Sequence, residues 1–305
     1  NAVLTAKLAQ EVGGIEYFAV ATVDEGIELR EANINASIIL LSLCIPEEFE
    51  KLFEYNISPL IFGKDYISLL SEYADRYYKD SDEKLLIHLA VDTGMGRIGC
   101  YPSEAAAQAE CINSSKHLKL AGMTTHFCVG DSIDEENQKF TQKQYDDFCY
   151  AIQSVKDKGF DPGICSCGNS AIVLNKKEMH LDMVRPGIIT YGYYPDQITK
   201  EFLASNNIDF DLKPVLALET QVVAIRDFPA NKSISYGRTY TCKTDTKIAI
   251  LPIGYADGLL RRFSPGIKVC INGKEYPVVG RICMDQCMVD IGFNNNDVHL
   301  WDKVI

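Results

Sequence analysis

The sequence holds no long hydrophobic run. Its most apolar stretches, such as IILLSLCI (38–45), fall far short of the roughly 20 residues that a membrane-spanning helix needs. No signal segment is visible either, so no membrane contact is expected of this segment. The chain is short of positive charge: 30 basic residues against 42 acidic ones leave a net charge of −12. That balance speaks against a polyanion-binding surface and so against nucleic acid as a partner. An anionic ligand would need a local cradle of amides and arginines. Cysteine is not scarce, but the eleven cysteines lack the spacing of a small disulfide scaffold, and the chain is long enough for a real core. Free thiols in a reducing, cytoplasmic compartment are the expectation. An initial methionine is also lacking. NAVLTAKLAQ already reads as helix and HLWDKVI stops in an apolar run, so the chain is expected to be a fragment at both ends.

What is present is an ordinary globular composition, 47% hydrophobic and 24% charged over 305 residues, with length for two domains. Over 1–211 strand-like and helix-like blocks alternate. YFAVATV precedes DEGIELREANI, SIILLSLCI precedes PEEFEKLFEYN, and ISPLIFG precedes KDYISLLSEYADRYY. KLLIHLAVDTG is followed by PSEAAAQAECINS, and LKLAGMTTHF by a long helix ending near Gly159. On that helix Tyr145, Phe148, Cys149, Ile152 and Val155 recur at helical spacing and predict one inward face. GICSCG with NSAIVLNK, and LDMVRPGIITYG as a further strand, complete the series. Such βα units predict a parallel sheet. About seven strands suit a (β/α)8 barrel without its first strand, N-terminally incomplete, better than an open sheet. Ligand-handling residues should then sit at strand C-terminal ends, where DTGMGR, THF, CGNS and RPGI fall. From 212 to 305 the texture changes to short strands and turns, with Asn272-Gly273 as a hairpin signal. This predicts an all-β domain, C-terminally incomplete.

Within that domain GRICMDQCMVDIG (280–292) poses a choice between a metal site and a strand. Alternation places Cys283, Asp285, Cys287 and Val289 on one face and Met284, Gln286, Met288 and Asp290 on the other. Thiolate zinc sites pair one Cys couple with a second at similar spacing. That second couple is missing, so no metal site is expected.

Taken singly, the remaining motifs are modest. VDTGMGRIG (91–99) could be only a tight βα connection. His126 could be a satisfied core residue. Asn169 and Ser170 open a predicted helix, where free N–H groups attract phosphate but where a plain N-cap is as common. Arg185, between apolar residues, needs a partner if buried.

As an ordered set the motifs say more. VDTGMGRIG, THF, NSA, VRPGIITYG, SISYGRTY, LPIGYADG and GRICMDQCMVDIG, with YFAVATVDEGIELR near the start, resemble the alanine racemase family over essentially the whole chain. The resemblance implies a pyridoxal 5'-phosphate-dependent enzyme with a (β/α)8 barrel and a following β domain. It would interconvert L-alanine and D-alanine, a peptidoglycan precursor. It also implies a homodimer with shared active sites. Residue by residue, it implies that Ser170 and the backbone N–H groups of Gly187 and Ile188 hold the cofactor phosphate, with Asn169 shaping that turn. Arg185 would face the pyridine nitrogen, and His126 would pack beneath the ring and connect to Tyr236. Arg97 would contact the phenolic oxygen and the substrate carboxylate, which the backbone N–H of Met284 would also bind. Asp131, Tyr255, Arg261 and Arg281 would line the substrate corridor.

Inversion needs two bases on opposite faces of a planar intermediate. The resemblance assigns Tyr236 to one face and a Schiff-base lysine, upstream of residue 1, to the other. Lys7 is not its equivalent, because it belongs to the following helix. A phenol keeps its proton at neutral pH, so Tyr236 needs help from its surroundings, for which His126 and Arg185 are placed by the resemblance. A guanidinium stays protonated, so Arg185 would keep the ring nitrogen unprotonated, weaken the electron sink and favour reprotonation over transamination. The sequence departs from the family in two places. Ala90 stands where many relatives have a carbamylated lysine, and Ser166 where relatives often have histidine. A second family tyrosine would lie past Ile305. Competing readings are a serine racemase domain of the same family, soluble but attached to a membrane protein, and a pyridoxal-phosphate decarboxylase, which would want an acidic partner at the ring nitrogen. From other classes come a non-catalytic pyridoxal-phosphate carrier and a metal-binding protein.

Overall fold

A computed structural model describes residues 2–305 and divides the chain into two compact units, Asn1–Lys213 and Pro214–Ile305. The first unit runs α1 (Ala2–Gly13), β1 (Tyr17–Val20), α2 (Val23–Glu31), β2 (Ser37–Leu40), α3 (Phe49–Glu54), β3 (Ile57–Ile61) and α4 (Lys64–Tyr77). It continues with β4 (Leu85–Ala90), α5 (Ala105–Ser114), β5 (Leu118–Thr124), α6 (Glu135–Asp157), β6 (Ile164–Ser166), α7 (Ser170–Asn175) and α8 (Lys200–Ser205). The six strands form one parallel half-barrel sheet in chain order. Parallel strands covered on both faces read as continuous apolar runs, and all five residues of β3 are buried. On the outer face Ile38, Ile57, Ile87, Leu89 and Met123 pack with Phe49, Leu70, Ala109 and Phe148 from the helices. Each of the large aliphatic or aromatic side chains among these contributes about 1.5–3 kcal/mol on full burial. Local chemistry starts the helices. Thr22 and Glu25 form a capping box on α2, and the Asp134 carboxylate accepts from the Glu136 and Asn137 N–H groups at the start of α6.

Two sequence expectations need adjustment here. The stretch 181–192 is not a paired strand. Val184 makes a single parallel bridge to Gly168, the Arg185 N–H donates to the Gly168 carbonyl at 2.8 Å, and the chain then turns through a 3-10 segment, Ile188–Tyr191. Pro186 has no N–H to extend a ladder. The buried face of α6 holds Phe148, Ile152 and Val155 as expected, and also two polar residues, Thr141 and Gln144.

The second unit comprises β7 (Thr220–Gln221), β8 (Ala224–Phe228), β9 (Ser233–Ile234), β10 (Tyr240–Thr241), β11 (Thr246–Leu251), β12 (Lys268–Ile271), β13 (Lys274–Val279), β14 (Cys287–Gly292) and β15 (Lys303–Val304). Seven strands make an antiparallel sheet in the order β7-β15-β12-β13-β14-β11-β8, and β9 pairs with β10. Asn272 and Gly273, at φ 50° and 79°, join β12 to β13 in the two-residue hairpin that Asn-Gly favours. The alternation read over 283–290 holds only from Cys287, where β14 is buried on every second residue. Residues 283–286 form a turn instead, closed by the Cys283 N–H donating to the Gln286 carbonyl at 2.9 Å. Among the described residues no helix is long and apolar enough to cross a membrane, all eleven cysteines are free thiols, and no group of three or more His, Cys, Asp or Glu is placed to hold a metal ion.

Candidate active site

The loops that leave β1, β2, β4 and β5 converge on a cavity of about 380 Å3, at the C-terminal end of the parallel strands where such folds place their ligands. Ala21, Leu41, Ser42, Ala90, Thr124, Thr125 and His126 line it, together with Arg97 and Arg185. No carboxylate lies in this lining among the described residues. The cavity therefore offers cations and neutral donors to whatever enters.

The glycines of VDTGMGRIG serve the turn, and the arginine faces the cavity. Asp92 accepts at Oδ1 from the Gly94 N–H (2.9 Å) and the Gly96 N–H (3.1 Å). The loop returns upon its own strand: the Asp92 N–H donates to the Cys100 carbonyl, and the Cys100 N–H to the Ala90 carbonyl. Gly99, at φ 129°, makes that return possible, since a Cβ there would lie 2.4 Å from the Asp92 nitrogen. Arg97 is thus carried on a loop with fixed ends.

Arg185 and His126 are held together. The Arg185 guanidinium donates from Nη1 to the Ser166 hydroxyl and from Nη2 to the Thr125 carbonyl at 2.7 Å. Nη2 also lies 3.5 Å from His126 Nδ1. Burial lowers the Arg185 pKa to about 10, with the Cys167 thiol opposing the shift and Arg97 adding to it, so the group remains cationic at neutral pH. Burial, then Arg185 and Arg97, lower His126 to about 4. The ring is neutral and can accept at Nδ1, which assigns its proton to Nε2. His88, 3% exposed on β4, sits one register layer below Ala90 and over Gly122, where a Cβ would lie 2.3 Å from His88 Nδ1. Its Nδ1 has no hydrogen-bond partner among the described residues, and burial followed by Arg185 lowers it to about 4 as well.

A second cluster follows β6. Asn169 is an N-cap: its Oδ1 accepts from the Ile172 N–H, and its Nδ2 donates to the Phe127 carbonyl at 3.4 Å. The buried Ser170 hydroxyl accepts from the Gly187 N–H at 2.9 Å, and Ile188 begins the 3-10 turn, where N–H groups have no helical acceptor. Ser170, Gly187 and Ile188 are gathered together outside the cavity lining, Gly187 two residues along the chain from Arg185. Asp131, in the loop after β5, is partly buried and does not line the cavity.

The other candidates form a group within the second unit. Tyr236, 62% exposed, lies in a turn whose neighbours Ser235, Gly237 and Arg238 all have positive φ. The Arg261 guanidinium stands 5.9 Å from its ring centroid, within cation–π range. Arg281 packs against the same turn, 3.2 Å from where a Gly237 Cβ would lie, and Arg261, Arg262, Ser264 and Arg281 surround a cavity of about 300 Å3. The Ser235 hydroxyl donates to the Arg281 carbonyl. The turn holding Met284 is clamped by GYADG, with the Tyr255 N–H donating to the Cys283 carbonyl and the Ala256 N–H to the Met284 carbonyl, each at 3.0 Å. Gly254 is needed for that approach, since a Cβ would meet Met284 O at 2.2 Å. Met284 is 54% exposed and its N–H has no acceptor among the described residues.

Sequence reasoning passed over Thr93, Thr125 and Gln144, which connect the cavity loops to one another. A polar residue on the apolar stripe of α6 was the available signal for Gln144.

Comparison with known proteins gives a consistent picture. The family model for the N-terminal domain of alanine racemase matches residues 1–195, and that for its C-terminal domain matches 215–305. The curated alanine racemase of Treponema denticola is 47% identical over 291 residues, covering 95% of this chain and 73% of its own length. Among solved structures, alanine racemase of Clostridium difficile 630 matches with a TM-score of 0.83 at 34% identity, covering 100% of this chain and 76% of its own. The alanine racemase of Bacillus anthracis, solved with bound L-Ala-P, matches with a TM-score of 0.82 at 34% identity, covering 100% of this chain and 74% of its own.

Proposed function

Because the chain belongs to the alanine racemase family, we propose that it racemises alanine with pyridoxal 5'-phosphate as cofactor. The observation that carries the reading is the strand-end cavity lined by Arg97, His126 and Arg185 without a carboxylate. This donor set suits the cofactor. Its phosphate and phenolic oxygen are anionic and call for cations and N–H groups, and its ring nitrogen is an acceptor matched by a guanidinium that only donates. Ser170 with the Gly187 and Ile188 N–H groups would hold the phosphate, Asn169 fixing their turn. Arg185 would hold the ring nitrogen, and the neutral His126 would support the ring.

When bound, the cofactor supplies an electron sink that makes the substrate α-hydrogen removable. Arg185, cationic and anchored by Ser166 and Thr125, would hold the ring nitrogen with a donor that does not give up its proton, and so would keep that sink modest. Return of the proton would thereby be favoured over side reactions. Arg97 and the Met284 N–H bind the substrate carboxylate. Tyr236 Oη supplies one of the two bases that inversion requires. Two copies complete each other, Tyr236 and Met284 of one serving the barrel site of its partner, while Asp131, Tyr255, Arg261 and Arg281 line the approach. The free thiols and the cofactor agree with a cytoplasmic enzyme.

The test is incubation of the full-length protein with L-alanine, and separately with L-serine, followed by chiral chromatography. D-alanine should form faster than D-serine and in proportion to bound cofactor absorbance. Absence of both products from a protein that holds the cofactor would overturn the reading.

A further inference from the structure

We propose that Gln144 is a positioning residue for this site, a single buried amide that keeps the Arg97 loop and the His126 segment in register. The inference rests on the roles given above to Arg97 and His126. Gln144 lies on α6 and is 0% exposed, on a face otherwise mostly apolar. Its Oε1 accepts from the Cys128 N–H at 3.3 Å and from the Cys128 thiol at 3.4 Å. Its Nε2 donates to the His126 carbonyl at 3.2 Å and to the Thr93 hydroxyl at 3.3 Å. The Thr93 and Thr125 hydroxyls are 2.8 Å apart, and the Thr125 carbonyl accepts from Arg185 Nη2. One amide therefore joins the two loops that carry Arg97 and His126, and the second of these also holds Arg185 through the Thr125 carbonyl. Phe140, a turn earlier on the same helix, presses on the same loop, 2.7 Å from where a Gly94 Cβ would lie.

Only an amide meets these demands together. It offers two N–H donors and a carbonyl acceptor in one plane, whereas a carboxylate only accepts and a thioether does neither usefully. The Cys128 N–H, the His126 carbonyl and the Thr93 hydroxyl point at it from two different βα loops, which nothing in the covalent chain holds in mutual register. A helix packed against the sheet is the rigid element from which they can be held.

The experiment compares full-length wild type with Gln144→Met, which keeps length and volume and removes the hydrogen bonds. Thermal midpoint, cofactor absorbance, hydrogen exchange by segment, and KM and kcat for L-alanine are measured for both. A positioning role predicts at least tenfold faster exchange in 92–99 and 126–128 with α6 still protected. It also predicts a KM for L-alanine raised at least tenfold, with kcat changed less, because Arg97 is the carboxylate ligand. Unchanged kinetics in an active protein overturn the proposal, as does a loss of activity that tracks loss of protection in α6. Should Gln144→Met fail to fold, Thr93→Val breaks the same network from the loop side and must raise KM in the same direction; unchanged KM there overturns it equally. A wild type that racemises neither amino acid defeats the functional reading instead, and the exchange comparison still decides whether Gln144 holds the two loops.

Discussion

Arg185 and Tyr236 are the two side chains on which the proposed inversion most depends, and the protein holds them by opposite means. Arg185 is fixed through its own side chain, by the Ser166 hydroxyl, the Thr125 carbonyl and His126. Tyr236 is fixed through its backbone, in a turn where Ser235, Gly237 and Arg238 take positive φ, while its ring stays largely exposed. A buried charge cannot be left without partners, so its position and the stability of the fold are coupled. A phenol on a strained turn leaves its hydroxyl available for chemistry, and the cost is carried by backbone conformation.

The largest expected effect separates these two directly. Tyr236→Phe should lower racemisation in both directions by roughly 10²–10⁴-fold, the usual worth of a positioned acid or base, with the melting temperature unchanged. Chiral chromatography beside calorimetry checks both halves, and full two-way activity would remove Tyr236 from its role. Arg185→Met should cost roughly 10²–10³-fold in activity, typical of a lost preorganised donor, and unlike the tyrosine variant it should also destabilise. The Ser166 hydroxyl and Thr125 carbonyl are left buried and unpaired, at about 1–3 kcal/mol for each such group. An Arg185→Met protein with a wild-type denaturant midpoint would erase the contrast.

A glycine in each region sharpens it further. Gly99→Ala drives a Cβ to 2.4 Å from the Asp92 backbone nitrogen at φ 129°, and should cost roughly 2–3 kcal/mol and loosen Arg97. Gly237→Ala at φ 70° meets only the end of the flexible Arg281 side chain, so the left-handed conformation alone should cost about 1 kcal/mol. Urea unfolding of both variants tests that order.

The smallest effect is in pH. His88 and His126 are lowered from 6.5 to about 4 in the fold. Between those values the unfolded chain binds more protons than the folded one, so stability falls as pH drops through this window. In the second unit the lowered groups are carboxylates: the exposed Glu275 and Asp297, paired with Lys268 and with Lys274, and the partly buried Asp302, which accepts from the His299 N–H and from Asn272. Their contribution is lost only at lower pH, from about the ordinary carboxylate range downward. Hydrogen exchange of β4 and β5 against β11 and β14, at pH 7 and pH 5, should show the first pair losing protection first.

These contrasts also mark what could be read without coordinates. The Asn272-Gly273 hairpin and the alternation of β14 from Cys287 follow from neighbours within a few positions, and both were legible. So was the ordered set of motifs, because each is a short turn whose glycines and polar residues have local reasons. The turn at 283–286 was not, since Gly254 and the GYADG backbone hold it from outside, and its residues by themselves alternate like a strand. The bridge at Val184 likewise falls short of a strand because of where Pro186 meets the edge of the sheet.

Sequence by itself determined the kind of element that most segments make and the division into a parallel and an antiparallel half. Those properties come from interactions spanning one turn of helix or one pair of strand residues. Only tertiary structure decided that Gln144 would meet Thr93 from 51 positions away and Arg185 would meet Thr125 from 60. Such pairings are selected by packing of helix on sheet, where a buried donor must find whichever acceptor the fold brings within reach.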